Sequence, residues 1–260
     1  MKTGVCGLCK KIGIIKKSHL LPKSSYKQVR DPLSEGGGSP MRIDTEGNRF
    51  GKTDKQVNAH FLCGACEGLF SRLGETGVSK VWATHFAFPM LEILSRLDPA
   101  SQNEKRSVYA LKEFPADIRN SLFYFAISVV WRASMWPRSN AGVSSCKNIF
   151  TPQQLITVEE YLLSGTGSVD NIFVVLDVNR CTEMSGLLSM PARTVSHDVT
   201  AIQFDVLGLR FITFIGDRFP REIEDLQSTY DRNFVITSSD HSEGRFAAQL
   251  ARYLHDYDIS

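Results

Sequence analysis

The stretch CGLCKKIGIIKKSHLLPK, residues 6–23, decides how this chain is read. It opens with Cys6 and Cys9, two residues apart, and closes on Ser18-His19-Leu20-Leu21-Pro22 after lysines at 10, 11, 16 and 17. A Cys-x-x-Cys turn lets both sulfurs face one centre, so the first question is where a second pair lies. It lies at Cys63 and Cys66, in CGAC, with 53 residues between Cys9 and Cys63. Four thiolates with no open position suit structural zinc. A redox-active Cys-x-x-Cys is the alternative.

The first knuckle carries a glycine where tight backbone is needed, and the second runs into EGLFSRLGE (67–75), which predicts a short helix. A knuckle on a hairpin with a second at a helix start describes a treble-clef type of zinc site. No apolar N-terminal segment suggests export, since lysines interrupt the only candidate, and paired cysteines then favour metal over disulfide. Cys146 and Cys181 stand alone and are expected to be small apolar fillers.

Composition sets the outer bounds. The 260 residues suffice for one large or two ordinary domains, and 42% hydrophobic with 22% charged residues is ordinary for a globular protein. The longest apolar run, LFYFAISVVW (122–131), is half of the roughly 20 residues a membrane span needs. The expectation is a soluble, cytoplasmic protein with no membrane contact. The net charge of +2 is unevenly spread. Residues 1–55 hold 12 Lys/Arg against 5 Asp/Glu, whereas the remainder holds 18 against 23. A basic block beside a metal knuckle is either a footprint for a phosphate backbone, with Lys16, Lys17, Lys23 and Lys27 as candidates, or a solvated basic face.

The periodicities predict an α+β fold in two parts, a small zinc domain at 1–76 and a larger body at 77–260 that is first helical and then β-rich. Residues 33–52 carry two turn clusters and predict a long loop or irregular hairpin. Apolar density predicts helices over 78–97 and 115–136, the second started by Pro115 and apolar nearly all round, hence buried. A third helix, 151–165, has Thr151 as N-cap, Pro152 in the first turn and Gly165 as its stop. Strands are predicted at 171–178 and 233–239, a hairpin over 200–216 pivoting near Gly208, and a closing amphipathic helix at 242–257.

Between the knuckles the chain resembles the HNH, or ββα-metal, nuclease family, over residues 6 to 75. Ser18-His19-Leu20-Leu21-Pro22 matches the family's His-containing segment, Asn58 lies five residues before Cys63, and Glu67 follows Cys66 directly. The resemblance implies hydrolysis of phosphodiester bonds in nucleic acid, DNA favoured over RNA. His19 would be the general base, Asn58 its orienter and Glu67 a ligand for a catalytic Mg2+ or Mn2+, apart from the zinc. Ser18 and Ser71 stand where the family carries further ligands, so Glu67 would need help from water, Glu75 or His60. The SHxxPK and LCxxCE segments ahead of a helical body also look like those of bacterial or phage-linked proteins, antiviral defence effectors among them.

Each residue has a plainer reading. His19 would bond across the hairpin, Asn58 would form a turn, and Glu67 would favour the helix dipole. The chain is then a non-catalytic zinc-stabilised module that binds nucleic acid or protein, with the body as a partner surface or a subunit of a complex. Elsewhere, Trp131 reads as core and Arg132 as pairing with a carboxylate of the β part. SSDHSEG (238–244) holds Ser, Asp and His too close in sequence for a triad and reads as helix-capping chemistry. GTGS (165–168) lacks the Lys-Ser/Thr of a phosphate loop.

Overall fold

The computed structural model describes residues 2–30, 33, 38–44, 49–137, 142–196, 199–219, 221–229, 233–244, 247, 248, 251 and 252. Its first part contains β1 (Lys2–Val5), β2 (Ile12–His19), α1 (Ser25–Gln28), β3 (Met41–Asp44), β4 (Arg49–Lys52) and β5 (Asn58–Cys63). Next come α2 (Gly64–Phe70), a π-helical turn at Ser71–Glu75 and α3 (Thr76–Val78), which follow one another without a break. Strands β1, β2 and β5 form a three-stranded antiparallel sheet, and β3–β4 pair as the hairpin expected within 33–52.

The remainder comprises α4 (Pro89–Leu94), β6 (Ser101–Gln102), β7 (Arg106–Tyr109), α5 (Ala116–Met135), α6 (Pro152–Ser164) and β8 (Ile172–Asn179). It ends with β9 (Ala192–Ser196), β10 (Val199–Val206), β11 (Leu209–Ile215), α7 (Arg221–Thr229) and β12 (Phe234–Ser239). Its seven strands run in the order β6-β7-β12-β8-β11-β10-β9, and only β8 and β12 pair in parallel. The fold is mixed α+β, with the four knuckle cysteines near the N-terminus. Every residue of β8 is buried, as a central strand covered on both faces requires.

Local chemistry places these elements where the sequence puts them. Thr151 and Gln154 form a reciprocal capping box at the start of α6, and Gly165 ends it in the left-handed conformation. The β10–β11 hairpin turns through Leu207 and Gly208, both at positive φ, the primed turn that matches strand twist.

From Leu122 onward helix α5 has no free face, although Ala116, Asp117 and Asn120 at its start are exposed. One side packs Phe125 against Phe204 and Phe211 of the large sheet. Another packs Trp131 against Phe61 and Phe70 of the knuckle region. Gly74 and Gly77 bring the chain after α2 close to this helix. A Cβ on Gly74 would lie 3.2 Å from Phe125 Cα, and one on Gly77 would lie 2.3 Å from Ser121 Cβ. One continuous core therefore holds Leu8, Phe61 and Phe70 together with Trp131 and Phe211.

Several sequence expectations are corrected. The helix over 78–97 shrinks to α4, because Val81, Trp82 and Ala83 are buried in turns instead, Ala83 N–H donating to the Leu207 carbonyl. Pro115 is the N-cap of α5, one position before the helix starts. Arg132 pairs with Glu75 of the N-terminal part, not with the β part. Cys146 is a buried filler, but Cys181 is half-exposed with its thiol on Glu183. Short strands β6, β7 and β9 were not expected. The closing helix at 242–257 lies mostly outside the described residues. Among the described residues no helix is long and apolar enough to cross a membrane.

The SSDHSEG segment does cap a helical turn, with Ser242 N–H donating to Asp240. Its neighbours also converge on a distant carboxylate. Asp177, buried in β8, accepts from Thr237 at 2.6 Å, from Ser239, and contacts His241 Nε2 at 3.2 Å; Arg106 stands 3.8 Å away. Ser239 and His241 thus share one acceptor instead of relaying to each other, which is a structural hub and not a triad.

Burial pushes the Asp177 carboxyl up, but His241, Ser239, Thr237 and Arg106 outweigh it and hold it below the ordinary carboxylate range. As pH falls the unfolded chain takes this proton first, so the stabilisation is whole above about pH 4 and is lost below it, through the folded-state value. Asp177→Asn is expected to cost about 2–4 kcal/mol in urea unfolding at pH 7. The gap to wild type should narrow on acidification, and a gap that stays constant down to pH 3 refutes the assignment. A fragment of residues 1–76, which leaves Phe61 and Phe70 uncovered, is expected to stay unfolded even with zinc. A dispersed, monomeric amide spectrum from it refutes the shared core.

Candidate metal centre and adjoining cleft

The β1–β2 hairpin turns through the first knuckle. Cys6 N–H donates to the Lys11 carbonyl, Lys10 N–H returns to Cys6, and Lys10 adopts φ 60°, which closes the turn. Gly7 is obligatory: its N–H donates to the Phe61 carbonyl at 2.9 Å, and a Cβ there would stand 2.1 Å from the Phe61 ring. Cys63 ends β5 in extended conformation and Cys66 sits in the first turn of α2.

The four sulfurs converge within 4.8 Å of one another, and Cys9 Sγ lies 3.8 Å from Cys63 Sγ. Zinc–sulfur bonds of about 2.3 Å in a tetrahedron place sulfurs about 3.8 Å apart, so the tetrad fits a metal ion such as zinc. Burial pushes the Cys9 and Cys66 thiols up, Cys66 also through the neighbouring Cys6, whereas backbone favours the charged form of Cys6. Burial raises the Cys6 thiol, but N–H groups from Cys63, Cys9 and Leu8 outweigh it and bring the pKa to about 7. Among the described residues no second group of three His, Cys, Asp or Glu side chains converges in this way.

The strand that carries His19 is shaped by an irregularity. Ile15 pairs with Cys63 but Lys17 pairs with His60, so β5 holds one residue more than β2 across this interval. The extra residue buries both Phe61 and Leu62. It also leaves the Leu62 N–H without a ladder partner, and Ser18 Oγ accepts it at 3.1 Å. Ser18 is fully buried, and its oxygen accepts this N–H while its hydroxyl bears on Glu67. That is the physical reason a hydroxyl stands where a metal ligand was expected.

His19 stands between two clefts. The first, about 330 Å³, is lined by His19, Lys23, Glu67, Ser71, Glu75 and Arg132. The second, about 520 Å³, is lined by Lys17, His19, Lys23, Asp54, Lys55, Gln56 and Asn58, with Asp54 paired to Arg30. Burial pulls the His19 imidazole below its ordinary pKa, and Lys23 and Lys17 add to this, so at neutral pH the ring is uncharged. Glu67 is the reverse case. Burial pushes its carboxyl up, with Ser18 and Arg132 countering only in part, and its Oε1 is buried with no hydrogen-bond partner.

The remaining candidates separate. Asn58 is the cross-strand partner of His19, yet its side-chain amide donates to the Gln56 carbonyl, and the imidazole's side-chain neighbour is Gln56. Lys17 and Lys23 line the clefts, Lys16 lies beside Gly64, and Lys27 is exposed on α1. His60 is exposed on β5. Sequence reasoning missed Gln56 and Lys55, which carry no motif, and placed Arg132 elsewhere.

No protein-family model, no curated protein and no solved structure matches this chain. The site is therefore argued from its own geometry. Purified protein is expected to carry one zinc per chain by elemental analysis. Cys66→Ser should lose it together with cooperative unfolding, because structural zinc contributes roughly 10–16 kcal/mol, as much as a domain's net stability. Full stability without metal refutes the centre.

Proposed function

We propose that residues 6–75 form an HNH-like, treble-clef zinc unit that hydrolyses phosphodiester bonds of nucleic acid, DNA favoured. The observation that carries this reading is the placement of His19. Its uncharged imidazole stands between a cleft holding Glu67, Glu75 and Arg132 and a cleft holding Lys17, Lys55 and Asp54, with Lys23 lining both. A phosphate backbone suits the lysine side, and a neutral imidazole near its working pH is a competent base.

In this reading His19 takes a proton from a water whose oxygen bonds to phosphorus. One ester P–O bond breaks, and the leaving oxygen gains a proton from solvent. Glu67, with its unpartnered Oε1, is the residue that would hold Mg2+ or Mn2+, which when bound would stabilise charge on the phosphate and leaving oxygen. The zinc tetrad holds β5 and α2 against the first hairpin, fixing Glu67 opposite His19.

A second reading has a specific observation behind it. Ser18 is engaged by Leu62 and Glu67, and Glu75 by Arg132, which leaves few groups for a catalytic cation. On that reading the unit is a zinc-stabilised binding module for nucleic acid or a partner protein.

Cleavage of plasmid DNA, single-stranded DNA and RNA in Mg2+ or Mn2+ separates the two. His19→Ala and Glu67→Ala, each of confirmed zinc content, are expected to lose about 10²–10⁴-fold in rate. The rate should be level through neutral pH and fall only below about 6.5, as His19 gains its proton. No cutting by wild type, with nucleic-acid binding intact in both variants, decides for the binding module.

A further inference from the structure

Arg132 is 1% exposed, and arginine stays charged at any pH a protein tolerates. A charge so deeply buried is costly unless its donors are used. Nη1 donates to the His19 carbonyl at 2.8 Å and to Glu75 Oε1 at 2.9 Å. Nε donates to the Ser128 carbonyl at 3.3 Å, and Nη2 makes one long bond to Ser128 Oγ. The guanidinium lies over Phe70, 5.1 Å from the ring centroid, and lines the same cleft as His19 and Glu67.

A mere staple between α5 and the knuckle region would not need this charge. A hydrocarbon of similar volume fills such a space at equal or lower free energy. What a hydrocarbon cannot do is grip a backbone carbonyl and a carboxylate at once, as Nη1 does while Nε and Nη2 of the same rigid plane are held on Ser128. The carbonyl gripped belongs to the residue that carries the imidazole, at the end of β2. Fixing that peptide plane fixes the direction of the His19 Cβ. The same nitrogen fixes Glu75, at the end of the π-helical turn across the cleft.

We propose that Arg132 is the positioning residue of this site, setting the geometry of His19 and Glu75 from a helix 113 positions along the chain. The proposal rests on the nuclease reading for its kinetic consequence but not for its geometric one. Lysine keeps the charge and loses the fork, so Arg132→Lys tests the geometry. Arg132→Met combined with Glu75→Gln removes the ion pair without stranding a buried charge.

Both proteins are compared with wild type for zinc content, melting temperature, plasmid cleavage in Mn2+, and the His19 imidazole Cε1–H resonance, assigned through His19→Ala. A displacement of about 1 Å at a reacting group can cost on the order of 100-fold. The expected result is kcat down roughly 10–100-fold with KM within about twofold, zinc retained, and the His19 resonance shifted or split while the other histidines stay in place. Unchanged kcat and an unmoved His19 resonance in a folded variant overturn the proposal. If wild type cuts nothing, the nuclease reading fails by itself. The imidazole resonance then decides: movement in the folded variants upholds Arg132 as the residue that positions His19, and constancy overturns it.

Discussion

Everything in this molecule follows from a helix that cannot meet water. Residues 116–135 carry apolar side chains almost all round, and twelve of the twenty are buried. Such a helix must be covered from more than one side. The large sheet covers one side through Phe204 and Phe211, and the knuckle region covers another through Phe61 and Phe70. A three-stranded sheet with one short helical stretch is too small to bury much by itself. It obtains its covering from α5, and α5 obtains its covering from it. A metal ion held by the four thiolates would add the local rigidity that this exchange does not.

The geometry of the cleft comes from the same exchange. Burying both Phe61 and Leu62 requires the extra residue in β5, since alternation would turn one of them outward. That residue frees an N–H, Ser18 satisfies it, and His19 follows immediately at the rim. The π-helical turn at 71–75 has a parallel effect. It lets Gly74 approach Phe125 and brings Glu75 to the buried guanidinium of α5. The polar groups around His19 are thus set by apolar packing behind them.

Legibility in the sequence divides along the same line. Features fixed by local chemistry could be read directly: the Cys-x-x-Cys pairs, the Thr151–Gln154 cap, the Gly208 turn, and the alternation of β10 and β11. Features fixed by distant partners could not. Residues 78–97 have helical apolar density, but Thr84 folds back onto the N–H groups of Phe86 and Ala87, and Ala83 bonds to Leu207, 124 positions on. Arg132 read as a charge seeking a carboxylate, which was right in kind. Nothing local could say that Glu75 would supply it. The Asp177 hub was hidden for the same reason, since Thr237 and Ser239 meet it only through the parallel pairing of β12 with β8.

The two buried ionic centres make an instructive contrast. Asp177 gathers donors from strand neighbours and from His241, and burial alone explains its partners. Its bonds satisfy one acceptor and leave no orphan nearby. The Arg132 centre is built differently. Its cation is fixed in three directions, yet the buried Oε1 of Glu67, a residue that lines the same cleft, has no hydrogen-bond partner. On the reading proposed for this cleft, that unpaired buried oxygen is the group a cation from outside the chain would satisfy. On that physical ground the cleft at His19, and not the better-satisfied cluster at Asp177, is where chemistry is to be sought.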